Sequence, residues 1–267
     1  MSIIGLRRLA RNVVDVASTA GFYIRALGFQ PSGVPYDNPQ LAALLGLNRV
    51  CGRRLRLGAQ EIELTQCDPP GALYPTEASA QALYFQHIAI LSADIAADYA
   101  RAMGQSAIPI SRGGPQVLPA RSGGVTAFKF RDPSGHPLEL LEPSAARGTA
   151  APVPGYDHAA ISIGDLARSL AFYTGLDLIL SARQVNHGPE QDRLDGLDHV
   201  TIDVIAMRPP HPAPHLELLH YRNKLPQKLP PPGFADIAAD RLVFAATVDN
   251  PVMLRDPDGR IVILEPA

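Results

Sequence analysis

The chain has 267 residues, 46% hydrophobic and 19% charged, with a net charge of −2 at pH 7. That length supplies a substantial core for one large domain or two of ordinary size, and the balance is that of a soluble globular protein. With no positive field and no basic run interleaved with aromatics, nucleic acid and anionic membrane surfaces are excluded as partners.

The opening Met1-Ser-Ile-Ile-Gly-Leu-Arg-Arg lacks the apolar stretch of a secretory signal, and no segment is long enough to span a bilayer. Cys51 and Cys67 suit neither a CxxC site nor a disulfide framework, so they read as ordinary residues of a reduced, cytoplasmic protein.

In chain order, three stretches open alike. They are Arg8-Leu-Ala-Arg-Asn-Val-Val-Asp15, His87-Ile-Ala-Ile-Leu-Ser-Ala-Asp94 and His158-Ala-Ala-Ile-Ser-Ile-Gly-Asp165, each with Asp seven residues after the first position. Alternating apolar residues predict a strand with one buried face. The Asp falls where a helix N-cap accepts orphan backbone N–H groups. Ala20, Tyr23, Ile24 and Leu27 then recur at helical spacing, as do Ala167, Leu170, Ala171 and Tyr173, with Gly28 and Gly175 as C-caps.

The units also end alike. Ile62-Glu63-Leu64, Leu138-Glu139-Leu140 and Leu216-Glu217-Leu218 each place a glutamate inside an apolar strand. Arg131-Asp132-Pro-Ser-Gly135 and Arg255-Asp256-Pro-Asp-Gly259 are tight turns in which Pro fixes φ and Gly supplies φ > 0. Seven residues beyond Asp132 stands Glu139, whereas seven beyond Asp256 stands Ile263. A fourth opening strand, Arg241 to Asp249, puts Leu242 at the first position, and only Asn250-Pro251 precedes the next strand, which leaves no room for a helix. Pro143 to Gly155 reads as a linker, giving domains 1–146 and 147–267. The prolines cluster at Pro209 to Pro214 and Pro226 to Pro232, as rigid excursions rather than element interiors.

A repeat of strand, helix and three strands, opening on His and Asp and closing on Asp-Pro-x-Gly and a strand glutamate, resembles the vicinal oxygen chelate superfamily. That group includes glyoxalase I, methylmalonyl-CoA epimerase, extradiol dioxygenases and the bleomycin and fosfomycin resistance proteins. The resemblance spans nearly the whole chain and implies an α+β fold of four βαβββ modules paired into open, barrel-like cups, the fourth degenerate. It also implies metal ligands from the first and last strand of each module: Arg8 and Glu63, His87 and Glu139, His158 and Glu217, Leu242 and Ile263. Arg cannot deprotonate to bind a metal, and Leu and Ile have no donor. Modules pairing within halves would scatter the intact ligands. A crosswise pairing of the second and third modules unites His87, Glu139, His158 and Glu217 around one divalent ion (Ni, Zn, Mn, Fe or Co) and is the arrangement expected here. Glu63 reads as a salt-bridge partner of Arg8.

Asn186, His187, Glu190 and Gln191, read as a polar loop at the mouth of the cup, are expected to contact a small-molecule substrate, as is His215, which shares a strand face with Glu217. The function implied is a metal-dependent lyase or isomerase, glyoxalase- or epimerase-like, acting on a molecule with vicinal oxygens. Glu139 or Glu217 acts as base and the ion stabilises an enediolate. The alternatives are an extradiol dioxygenase, built on two His and one carboxylate, and a metal-free binding or resistance protein. The chain is expected to be a monomer or homodimer. At ordinary pKa values, metal affinity falls as His87 and His158 protonate near pH ~6–7.

Overall fold

The computed structural model describes residues 1–144, 154–210, 214–227 and 230–267. The domain boundary expected at residue 146 lies outside the described residues, as does His211.

The first module comprises β1 (Ile3–Asn12), α1 (Val16–Leu27), β2 (Gln30–Asp37), α2 (Pro39–Leu45), β3 (Arg49–Leu57) and β4 (Gln60–Asp68). The second has β5 (Gln86–Leu91), α3 (Ile95–Gly104), the short β6 (Ile108–Pro109) and β7 (Gln116–Val117), then β8 (Thr126–Arg131) and β9 (Pro137–Glu142). The third has β10 (Tyr156–Ser162), α4 (Leu166–Thr174), β11 (Ile179–His187), α5 (Pro189–Asp195), β12 (Thr201–Arg208) and β13 (His215–Tyr221). The fourth is β14 (Arg241–Ala246), β15 (Val252–Arg255) and β16 (Ile261–Pro266), without a helix. No helix among the described residues is long and apolar enough to cross a membrane.

The repeated aspartates cap as their positions require. Asp15, Asp94 and Asp165 accept the backbone N–H of Ser18, Ala97 and Arg168 at 2.9, 3.0 and 3.0 Å. Gly28 ends α1 in the left-handed region at φ 75°. Gly175 stays right-handed, and the chain turns instead at Asp177, φ 66°, a residue type that tolerates this conformation. In the Asp132 turn, the carboxylate accepts the N–H groups of Ser134 and His136 while Gly135 adopts φ 96°.

Two sheets form. One has the order β15-β16-β14-β1-β4-β3-β2; the other has β11-β12-β13-β10-β5-β9-β8-β6, with β7 also on β8. The first module therefore shares a sheet with the fourth, and the second with the third. The pairing is crosswise.

Side chains alternate across both sheets. Leu9, Ile62, Ile88, Leu138, Leu140, Ile161, Leu218, Leu242 and Val262 point to one continuous core shared with α1, α3 and α4. The opposite faces line the two cups. The helices α2 and α5, each starting with Pro and ending at a left-handed Gly (Gly46, Gly196), lie over these concave faces and pack there through Leu41, Leu45 and Leu194.

The ladder register corrects one sequence reading. Arg8, Leu9 and Ala10 on β1 face Val243, Leu242 and Arg241 on β14. In the other sheet, His158, Ala159 and Ala160 on β10 face Ala89, Ile88 and His87 on β5. Matching the ladders puts Arg8 where His158 stands and Arg241, not Leu242, where His87 stands. The interval to Asp249 is one residue longer than in the other modules, and a one-residue slip moves a side chain to the other face. Leu242 is core. On the closing strands the register behaves as expected: Ala10 and Ala160 face Glu63 and Glu217, while Val243 and Ala89 face Ile263 and Glu139.

Candidate metal centre

Four strands at the middle of the nine-stranded sheet carry the centre: β9, β5, β10 and β13. Each ligand candidate points into the cup because its strand neighbours point into the core. Ile88 flanks His87, Leu138 and Leu140 flank Glu139, Ala159 flanks His158, and Leu216 and Leu218 flank Glu217. The register brings His87 diagonally across from His158, with ring centroids 5.9 Å apart.

His87 Nε2 stands 2.8 Å from Glu139 Oε2, and both side chains are almost wholly buried. The contact is not aligned as a hydrogen bond, and neither ring nitrogen of His87 has a hydrogen-bond partner among the described residues. A buried, unsatisfied imidazole is costly unless something else takes its lone pair. His87, Glu139 and His158 form a group whose donor atoms all lie within 4.8 Å of one another. Two imidazoles and a carboxylate suit a divalent transition metal, so the donor set and the unsatisfied hydrogen-bonding capacity of His87 fit such an ion.

Glu217 stands beside this group rather than within it. Its Oε2 is 3.5 Å from His158 Nε2 and its Oε1 is 3.4 Å from His215 Nε2. Asp157 accepts from His158 Nδ1 at 3.0 Å, fixing the ring's orientation. Asp157, His158 and His215 form a second close group on the same rim.

The two histidines have opposite electrostatics. Burial pushes His87 down to about 4, so its imidazole is neutral and ready to coordinate. Burial also opposes charge on His158, but the carboxylates of Glu217, Asp157 and Glu139 outweigh it and push that residue up to about 9. Burial would raise Glu139, yet Lys129, His87 and His158 hold it down at about 2. A shared transition near pH 6–7 is therefore replaced by two separated ones.

The cavity against this centre measures about 170 Å³ and includes Lys129, Asn186, Gln191, Leu194 and Leu219 in its lining. Asn186 and Gln191 do not sit in a loop: they belong to β11 and α5. Both are buried, and Asn186 Oδ1 and Gln191 Oε1 lack hydrogen-bond donors among the described residues. Among the expected substrate contacts, Glu190 does not line the cavity, and neither does His187. Strand alternation turns it away from Asn186 to an exposed hollow with Pro189 and His199. His215 borders the centre through Glu217 and Asp157.

Sequence reasoning missed Lys129 and Asp195. Lys129 stands opposite Glu139 on β8, with Nζ 2.7 Å from Asp195 Oδ1, and both are buried. Asp195 also accepts from Gln191 Nε2 and Tyr221 Oη at 3.0 and 3.2 Å. A lysine between Phe128 and Phe130 in a strand was the readable sign, since it must share the face opposite the phenylalanines.

No curated protein sequence matches the chain significantly. Glyoxalase I from Zea mays resembles it at 18% identity, over 98% of this chain and 92% of that one, with a TM-score of 0.64. A candidate dioxygenase from Bacillus subtilis matches at 11% identity over 99% of this chain and 86% of that one, with a TM-score of 0.60. At such identities these are likenesses of fold. The family model of the Glyoxalase/Bleomycin resistance protein/Dioxygenase superfamily matches residues 5–140 and 155–250. With a match over most of the chain and the crosswise pair of cups just described, this protein belongs to that superfamily.

Proposed function

We propose that this chain is a metal-dependent enzyme of the glyoxalase or epimerase type, acting on a small molecule with two neighbouring oxygens by moving a proton at the adjacent carbon. The observation that carries the reading is the convergence of His87, Glu139 and His158, with Nδ1 of His87 unpartnered among the described residues and its Nε2 against the Glu139 carboxylate without an aligned hydrogen bond. These three would hold the ion, with Glu217 beside them. When bound, a divalent ion supplies Lewis acidity toward negative charge developing on the substrate's oxygens.

The remaining chemistry belongs to side chains. Glu217 is the better proton acceptor of the two glutamates: it stands outside the close donor group and faces the cavity, with His215 3.4 Å away to share the proton. Glu139, held low by Lys129 and two histidines, is a poor base and a good ligand. Asn186 and Gln191 present unpaired acceptor oxygens to substrate hydroxyl groups. Leu118, Leu141, Leu194 and Leu219 exclude water from the reacting atoms.

The test is metal analysis of protein loaded in turn with Ni, Zn, Mn, Fe or Co, followed by proton NMR of deuterium exchange into α-hydroxycarbonyl compounds. Wild type should hold one ion and catalyse exchange. His87→Ala should lose the ion, and Glu217→Gln should keep it and lose exchange. Stoichiometric binding by none of the five ions, or uptake unchanged in His87→Ala, refutes the reading.

The position of Glu217 outside the close donor group favours a second reading, an extradiol-type dioxygenase with a two-His, one-carboxylate site. Oxygen consumption with a catechol, dependent on ferrous ion, would reverse the ranking.

A further inference from the structure

The other cup has lost its metal chemistry and kept its cavity. A hollow of about 310 Å³ lies between the sheet of β1, β4, β14 and β16 and helix α2, walled by Ala10, Leu41, Leu44, Val243 and Ile263. At the register positions held by His158 and His87 in the neighbouring cup stand Arg8 and Arg241, and Ile263 replaces Glu139. Two permanent cations exclude a divalent metal. They do not exclude an anion.

The two arginines differ in what they hold. Arg8 is fully paired: its Nε donates to Glu63 at 2.6 Å, and its other two nitrogens donate to the carboxylate of Glu265 at 2.9 and 2.6 Å. Arg241 is wholly buried and has no carboxylate within ion-pair distance among the described residues. Its terminal nitrogens donate to the neutral oxygens of Asn12 and Thr65, both at 2.6 Å, and its Nε has no acceptor. Asp240, next to it in sequence, is 3.2 Å from both Arg11 and His136. The carboxylate of Glu63 acts on Arg241 at a distance, but none among the described residues touches it, and a buried guanidinium with an unsatisfied Nε is disfavoured unless something supplies an acceptor.

We propose that this cup is a second, metal-free binding site for a small organic monocarboxylate, its carboxylate against Arg241 and its apolar part against Leu41, Leu44, Val243 and Ile263. The single unsatisfied donor of Arg241, its Nε, calls for one carboxylate acceptor. Glu63 and Glu265 on the same wall repel a second, which disfavours dicarboxylates and phosphate esters. At roughly 30 Å³ for each water displaced, the hollow accepts an acid of about six to ten heavy atoms.

The experiment uses hexanoate as the probe and hexanol as its neutral counterpart, titrated into the full chain by calorimetry, with methyl NMR to locate binding. Hexanoate should bind one to one and shift the methyl groups of Val243 and Ile263, not those of Leu141 and Leu219 in the other cup. Hexanol should bind at least tenfold more weakly, and Arg241→Gln should weaken hexanoate at least tenfold. If Arg241→Gln fails to fold, Leu44→Trp on α2 decides: it fills the hollow from a half-buried position and should abolish the shifts. No saturable binding, equal binding of hexanol, shifts confined to Leu141 and Leu219, or undiminished binding in a folded variant overturns the proposal.

Discussion

Glu63→Gln separates the two cups most cleanly, because Glu63 and Glu217 hold the same register position with different neighbours. Glu63 is 1% exposed, receives Arg8 Nε at 2.6 Å and accepts the hydroxyl of Tyr36. Arg8 and its field hold the carboxyl below its usual range despite burial. Removing one partner of a buried ion pair costs about 3–5 kcal/mol, because the other charge stays buried. Here Arg8 keeps Glu265, whose side chain is 22% exposed and therefore screens less of that cost, so about 2–3 kcal/mol is expected. At about 2–4 °C per kcal/mol, the melting temperature should fall by roughly 5–10 °C. Urea unfolding measures the first figure and calorimetry the second, while the bound metal should stay at the wild-type level. Glu139→Gln should differ by weakening metal binding at least ~100-fold, and it should also lower metal-free stability, because Lys129, His87 and His158 hold its carboxyl at about 2 despite burial. A loss below about 0.5 kcal/mol for Glu63→Gln, or loss of metal with it, refutes the assignment of roles to the two cups.

Metal uptake should release about one proton at pH 7, because His158, pushed up to about 9, carries one and His87, pushed down to about 4, does not. Affinity should therefore rise about tenfold per pH unit up to about pH 9, leaving it ~100-fold below its limit at pH 7. Calorimetry in buffers of different ionisation enthalpy checks this, and a flat profile between pH 7 and 9 overturns it. In metal-free protein the same raised value stabilises the fold fully below pH 6.5, and the contribution fades as pH climbs through 9, which pH-dependent urea unfolding should register. Lys129→Met should destabilise the fold by about 3–5 kcal/mol by stranding Asp195, and Lys129→Met with Asp195→Leu should recover much of that loss in urea unfolding.

The repeat made the fold legible because it rests on local rules that act alike in every module: a strand alternation, an N-cap aspartate, a turn glycine. Asp15, Asp94 and Asp165 needed only their own neighbours to be understood. His87, Glu139, His158 and Glu217 were legible for the same reason, since strand parity fixes which way each points. The fourth module failed where counting replaced pairing. Its extra residue before Asp249 hid Arg241, and only the ladder with β1 shows it. Helices α2 and α5, seven residues each, are too short to display a helical period, so Gln191 read as loop, and β11, exposed along most of its length, shows no clear apolar alternation around Asn186. Lys129 and Asp195 find each other across 66 positions, a long-range pairing that no local pattern encodes.

The crosswise sheets also set an order of assembly. The nine-stranded sheet draws its strands from residues 86–221, so a chain emerging from its N-terminus can complete it first. One edge of β1 pairs with the nearby β4, but its other edge waits longest, since Ile3 is partnered by Ala246 on β14. Closing so long a loop late slows folding and leaves the edge of β1 exposed in the meantime. The His/Glu centre would then form before its arginine-bearing counterpart, and the last twenty-odd residues, β14 to β16, would seal the fold.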